Sequence, residues 1–124
     1  MKLNSFKFIS SLLAFILWFS WTYYINSSSP NVLTSALFQG LYSALTTLLM
    51  IYMITYFYNL LPKKKIYFTV PSIITVAIAT LLIVAIHITI HTYNITATVV
   101  PTIMVAFLFS LYTTKKLIQK DQNV

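Results

Sequence analysis

The stretch AIHITIHTYN, residues 85–94, sets His87 and His91 four positions apart. That is the spacing at which two imidazoles on one helical face can fill two coordination positions of a zinc ion. A protein zinc site needs three or four protein ligands, and nothing here completes one: the chain has no cysteine, and its only acidic residue is Asp121. A proton relay would need further titratable stations, and only the imidazoles are on offer. Carboxylate pairs, thiolate nucleophiles, glycine-rich phosphate loops and dinucleotide motifs fail for the same reason, because the chain has one Asp, one Gly and neither Glu nor Cys. The expectation is a protein that is not an enzyme, with no metal and no cofactor.

What remains for the histidines depends on the elements that carry them. The chain has 124 residues, 59% of them hydrophobic and 7% charged, too few polar groups to clothe a water-soluble domain. Four apolar segments can be drawn, about 6–25, 32–61, 66–90 and 95–114. Each reaches the roughly 20 residues that an α-helix needs to cross a hydrocarbon core. The fold class expected is an all-α integral membrane protein, one domain built as a bundle of four antiparallel transmembrane helices joined by short connections. Lys2 and Lys7 lie before and at the start of the first segment, Lys63 to Lys65 lie between the second and third, and Lys115, Lys116 and Lys120 follow the fourth. This bias puts both termini on the cytoplasmic side, in a plasma membrane of the bacterial inner-membrane type. It also assigns the net charge of +7 to attraction for anionic lipid headgroups rather than to nucleic acid.

Trp18, Trp21, Tyr23 and Tyr24 stand where a secretory signal would carry small residues, so the first segment is read as a mature helix ending in an interfacial aromatic belt. Tyr52, Tyr56, Phe57 and Tyr58 form the belt at the opposite side. Ser29 and Pro30 suit an N-cap and first helical position, and Asn94 a cap for the fourth helix. A faint repeat lays Ser35, Gln39 and Ser43 on Thr98, Thr102 and Ala106.

In lipid, helices associate by close packing, and small residues every four positions let their backbones approach. The fourth segment repeats Thr98, Thr102, Ala106, Ser110 and Thr114. The second carries Ala36, Gly40 and Ala44 on one face and Ser35, Gln39 and Ser43 on the next. Two such faces exceed what one neighbour requires, which points to a second copy or another membrane protein as partner. With those spans, His91 falls at the outer water boundary and His87 about five residues inside, roughly 7 Å deep. At similar depth lie Gln39, Tyr42, Thr98 and Thr102, which with His87 form the candidate polar cluster. Two functions are in view. One is a non-enzymatic membrane protein that packs with and stabilises or regulates another membrane component. The alternative is a small oligomeric transporter or channel for a neutral or amphipathic solute. Permeabilisation of the holin type is a minor third.

Overall fold

The computed structural model describes residues 3–62 and 68–123. Within them are four α-helices: α1 Leu3–Ile25, α2 Val32–Leu60, α3 Val70–Thr89 and α4 Ile95–Gln122. All four are long and apolar enough to cross a membrane. Lys2, Lys63, Lys64 and Lys65, and the start of the third segment at Ile66, lie outside the described residues.

The boundaries differ from the sequence reading in every helix; α1 starts at Leu3 rather than at about residue 6. α2 stops at Leu60 because Leu61, extended at φ −95° and ψ 149°, precedes Pro62, whose ring excludes the helical conformation from the residue before it. α3 starts at Val70 with Pro71 in its first turn, where a missing N–H costs nothing. α4 runs past Thr114 to Gln122, since Lys, Leu, Ile and Gln are good helix formers and apolar length does not limit helix length. The N-cap of α2 is Asn31 rather than Ser29; Ser29 instead accepts the Asn31 N–H (3.2 Å) in the preceding turn. Asn94 does cap α4, accepting from the Ala97 N–H at 3.2 Å.

The helices pack as a bundle in which α1 lies most extensively on α2, α2 on α3 and α3 on α4, while α4 meets α1 sparsely. α2 also touches α4 across the bundle. Leu33, Leu37, Leu41, Leu45 and Leu49 run along the exposed face of α2, while Ala36, Gln39, Gly40 and Ser43 are buried. Among the described residues, buried polar side chains outnumber buried apolar ones. This inversion of a soluble core suits a hydrocarbon surrounding. Many interior hydroxyls are satisfied by their own helix one turn back: Thr46 on the Tyr42 carbonyl (2.7 Å), Thr47 on Ser43 (2.8 Å), Thr113 on Phe109 (3.0 Å) and Thr114 on Ser110 (3.0 Å). Because Thr114 donates in this way, Ser72 of α3 donates to the Thr114 hydroxyl oxygen at 3.1 Å and ties α3 to α4.

Gly40, the one glycine of the chain, packs α2 tightly against Phe15 of α1. A Cβ there would sit 2.9 Å from the Phe15 ring and 3.2 Å from the Phe15 carbonyl oxygen. One turn on, the Ser11 hydroxyl donates to the Ala44 carbonyl at 2.9 Å. Replacement of Gly40 by alanine is expected to lower stability by about 1–3 kcal/mol, with leucine worse. Phe15→Ala should recover only part of the loss, because the carbonyl contact is backbone. Thermal unfolding of the purified variants in detergent reads this, and an unchanged midpoint for Gly40→Ala would remove the claim.

α4 carries Pro101 in its interior. Proline has no N–H, so the Ala97 carbonyl four residues earlier is left without its helical donor. The Trp21 indole N–H of α1 donates to that carbonyl at 2.9 Å. The loss of stability from Trp21→Phe, about 1 kcal/mol for the hydrogen bond, should shrink in a Pro101→Ala background, where the helix supplies its own donor. Strict additivity of the two changes in a double-mutant cycle would contradict this account.

Candidate functional site: a hydrogen-bonded polar layer above a central cavity

The turns after α1 and α3 lie at one end of the bundle, and each reaches across to the other pair of helices. Asn26, fully buried after α1, donates its amide to the Thr22 carbonyl (3.0 Å) and to the Thr98 hydroxyl of α4 (2.8 Å). Its oxygen accepts the Asn94 N–H at 2.9 Å. In the other direction Thr92, in the turn after α3, bonds the Ser35 hydroxyl of α2 at 2.8 Å.

The two histidines part company at this end. α3 closes with its C-cap at Ile90, after which His91 takes φ 57°. The His91 N–H bonds the Ile88 carbonyl (3.2 Å), and the Thr92 N–H bonds the His87 carbonyl (3.0 Å). This is the helix-ending turn that usually places glycine in the left-handed position. His91 is therefore past the helix, exposed and off the face of His87, so the shared-face reading of the pair does not hold. His87 is 0% exposed.

The bonds around His87 assign its protons. Gln39 Nε2 donates to Thr102 Oγ1 (3.1 Å) and, weakly, to Ser43 Oγ (3.4 Å), which leaves Gln39 Oε1 as an acceptor. His87 Nε2, at 2.6 Å from that oxygen, is then the donor. A neutral imidazole with its proton on Nε2 accepts at Nδ1, so the Thr92 hydroxyl donates to it at 2.6 Å. With that proton used, Ser35 donates to Thr92. The result is one directed chain, Ser35 to Thr92 to His87 to Gln39 to Thr102, ending on the Thr98 carbonyl at 3.3 Å. It links α2, α3 and α4 with no charged member.

Of the five residues expected to cluster, the structure joins Gln39, His87 and Thr102 directly. Thr98 takes part through its carbonyl, while its hydroxyl belongs to Asn26 and to the Asn94 carbonyl (2.6 Å). Tyr42 stands apart, donating to the Ala79 carbonyl of α3 at 2.5 Å. Thr92, Ser35 and Asn26 complete the layer and were not in the sequence-derived cluster. Of the packing positions, Ala36, Gly40, Thr98 and Ser110 are buried, while Ala44, Thr102 and Ala106 are half-buried. Trp18, expected in an interfacial belt, is buried inside the bundle. Among the described residues no group of three or more His, Cys, Asp or Glu comes together.

Below the layer, midway along the helices, lies a cavity of about 340 Å³ lined by all four of them. Ser43 and Thr102, the two acceptors of the Gln39 amide, belong to its wall, so the polar layer roofs the cavity. The remaining lining is largely apolar, with Trp18, Met50, Val76, Ile83 and Phe109 among it. Leu13, Leu17 and Val105 line the cavity and are also 61%, 55% and 48% exposed. It therefore opens on the flank between α1 and α4, which touch only sparsely. Comparison with family models, with curated proteins and with solved structures gives no match. Fold and geometry alone define the chain as a four-helix, multi-pass membrane protein.

His87→Leu is expected to cost about 1–3 kcal/mol by stranding Gln39 Oε1 and the Thr92 hydroxyl. Adding Gln39→Leu should cost less than the sum of the two single changes. His91→Gln should be neutral, and His91→Gly should gain up to about 1 kcal/mol by relieving the left-handed strain. Equal effects of His87→Leu and His91→Gln on thermal stability in detergent would contradict the split between the two residues.

Proposed function

We propose that this protein binds a neutral or amphipathic solute in its central cavity and carries it across the bilayer. The observation that carries the reading is the cavity itself: about 340 Å³, midway along four membrane-length helices, each of which contributes to its wall. Small-molecule sites fall in the range of roughly 300–1,000 Å³, mostly apolar with a few placed polar groups, and sites between the helices of a bundle are common. In this reading the helices cross the membrane antiparallel with both termini cytoplasmic, as the lysine distribution favours. The lysines at that side meet anionic headgroups. One chain builds the cavity, so the mechanism does not call for a second copy.

The other reading, a protein that packs with and regulates another membrane component, drew on the two small-residue faces of α2. Gly40 is turned to Phe15 of α1, and Gln39 bonds His87 of α3 and Thr102 of α4. Both faces thus have neighbours within the chain, and the surplus that argued for a partner is taken up internally.

Filling the cavity separates these readings. Ala106→Trp should leave the helical content and the detergent-solubilised state intact while abolishing solute flux into liposomes reconstituted with the pure chain and a panel of neutral and amphipathic solutes. Failure of the unmodified protein to move any of them, in either orientation, would sink the carrier reading.

A further inference from the structure

We propose that the cavity takes a neutral, single-chain lipid bearing a hydroxyl or carbonyl group, which enters sideways from the bilayer between α1 and α4 and is held by the hydroxyls of Thr80 and Ser10. This rests on the reading of the cavity as a binding site and names the class of molecule that fits it. Four features carry it.

The first is the route. Leu13, Leu17 and Val105 are shared by the cavity wall and the apolar exterior, so the path into the cavity leads from hydrocarbon rather than from water. At the end that holds the two turns, the Gln39–His87–Thr102 layer closes it. The second is charge: among the described residues no lysine, histidine or aspartate lines the cavity, and an ionised group brought there would lose its hydration with no counter-charge to replace it.

The third is the set of polar groups left open. Tyr42, Thr46, Thr47 and Thr102 spend their hydroxyl protons on backbone carbonyls, while Ser43 accepts weakly from Gln39 at the roof and keeps its own proton. Ser10 and Thr80 line the cavity on α1 and α3 with no hydrogen-bond partner among the described residues. Each hydroxyl can donate to a carbonyl or exchange bonds with a hydroxyl. The fourth is shape. Lining positions 42–50 of α2 extend about 12 Å along the helix at 1.5 Å per residue, so a space of about 340 Å³ over that length is a slot that suits one hydrocarbon chain.

The test uses the full-length protein in lipid nanodiscs with three photoactivatable long-chain probes that differ only at the head: an alcohol, an alkyl sulfate and an alkyl trimethylammonium. Labelled positions are read by mass spectrometry. The alcohol should label the cavity-wall residues Ala14, Trp18, Thr102, Ala106 and Phe109 roughly tenfold more than either charged probe, the scale of an uncompensated polar group. Thr80→Val, which keeps the shape and removes the hydroxyl, should lower that labelling about fivefold, as the loss of one hydrogen bond implies. Labelling of the lipid-facing Leu81 and Leu108 should not change. Ser10→Ala should act in the same direction and serves if the Thr80 variant does not assemble.

Cavity labelling by the charged probes equal to that by the alcohol would overturn the ligand class while leaving the cavity a binding site. Alcohol labelling confined to Leu81, Leu108 and other lipid-facing positions would overturn both. An unaltered yield in both hydroxyl variants would overturn the assignment of Thr80 and Ser10.

Discussion

The structure depends on a constraint that hydrocarbon imposes: the surroundings offer a polar side chain no partner, so it is driven to find one inside the protein, and among the described residues only the Thr22 and Thr75 hydroxyls are fully buried without one. The bond between Gln39 and His87 is the central instance. Gln39 has two donors and an acceptor to satisfy, and it does so by joining three helices at one level, with His87 on α3 and Thr102 on α4. The imidazole then commits its second nitrogen to Thr92, and Thr92 draws in Ser35. Each bond sets the proton of the next, so the layer is closed as a unit.

Two structural consequences follow from that closure. Thr92 must reach His87 from beyond the helix end, which the left-handed turn at His91 makes possible. Asn26 does the same work for the other pair of helices, holding Thr98 and the Asn94 N–H. The bundle is therefore pinned at the end where its turns lie. Toward the middle, the small residues that allow close approach on the α1–α2 face give way to a space that no side chain fills, and sparse contact between α1 and α4 leaves it open at the flank. A tight layer thus stands beside a looser centre.

Much of the fold is legible in the residues. Four apolar runs separated by short polar segments specify four membrane-length helices, and the run of Ala36, Gly40 and Ala44 marks the seam where another helix approaches closely. Gln39, His87 and Thr102 are found by depth alone, since polar residues that interrupt apolar runs must meet one another. Asn26 and Thr92 escape that reasoning because both stand in turns, where water is the default partner. Only the backbone path at His91 brings Thr92 back beneath the helix end, and no glycine marks that turn in the sequence. Trp21 had a readable clue: Pro101 strips the Ala97 carbonyl of its donor, though nothing local says which side chain will replace it.

By itself, then, the sequence determined the class of the protein, its span count, its seams and the placing of its charges at or beyond the span ends, because these follow from the cost of exposing polar groups to lipid and from the geometry of a single helix. The tertiary structure decided which partners the polar groups take, that both faces of α2 are used within one chain, and that a cavity remains between the helices. Those outcomes depend on how four helices are spaced and turned relative to one another, a property that no single helix encodes.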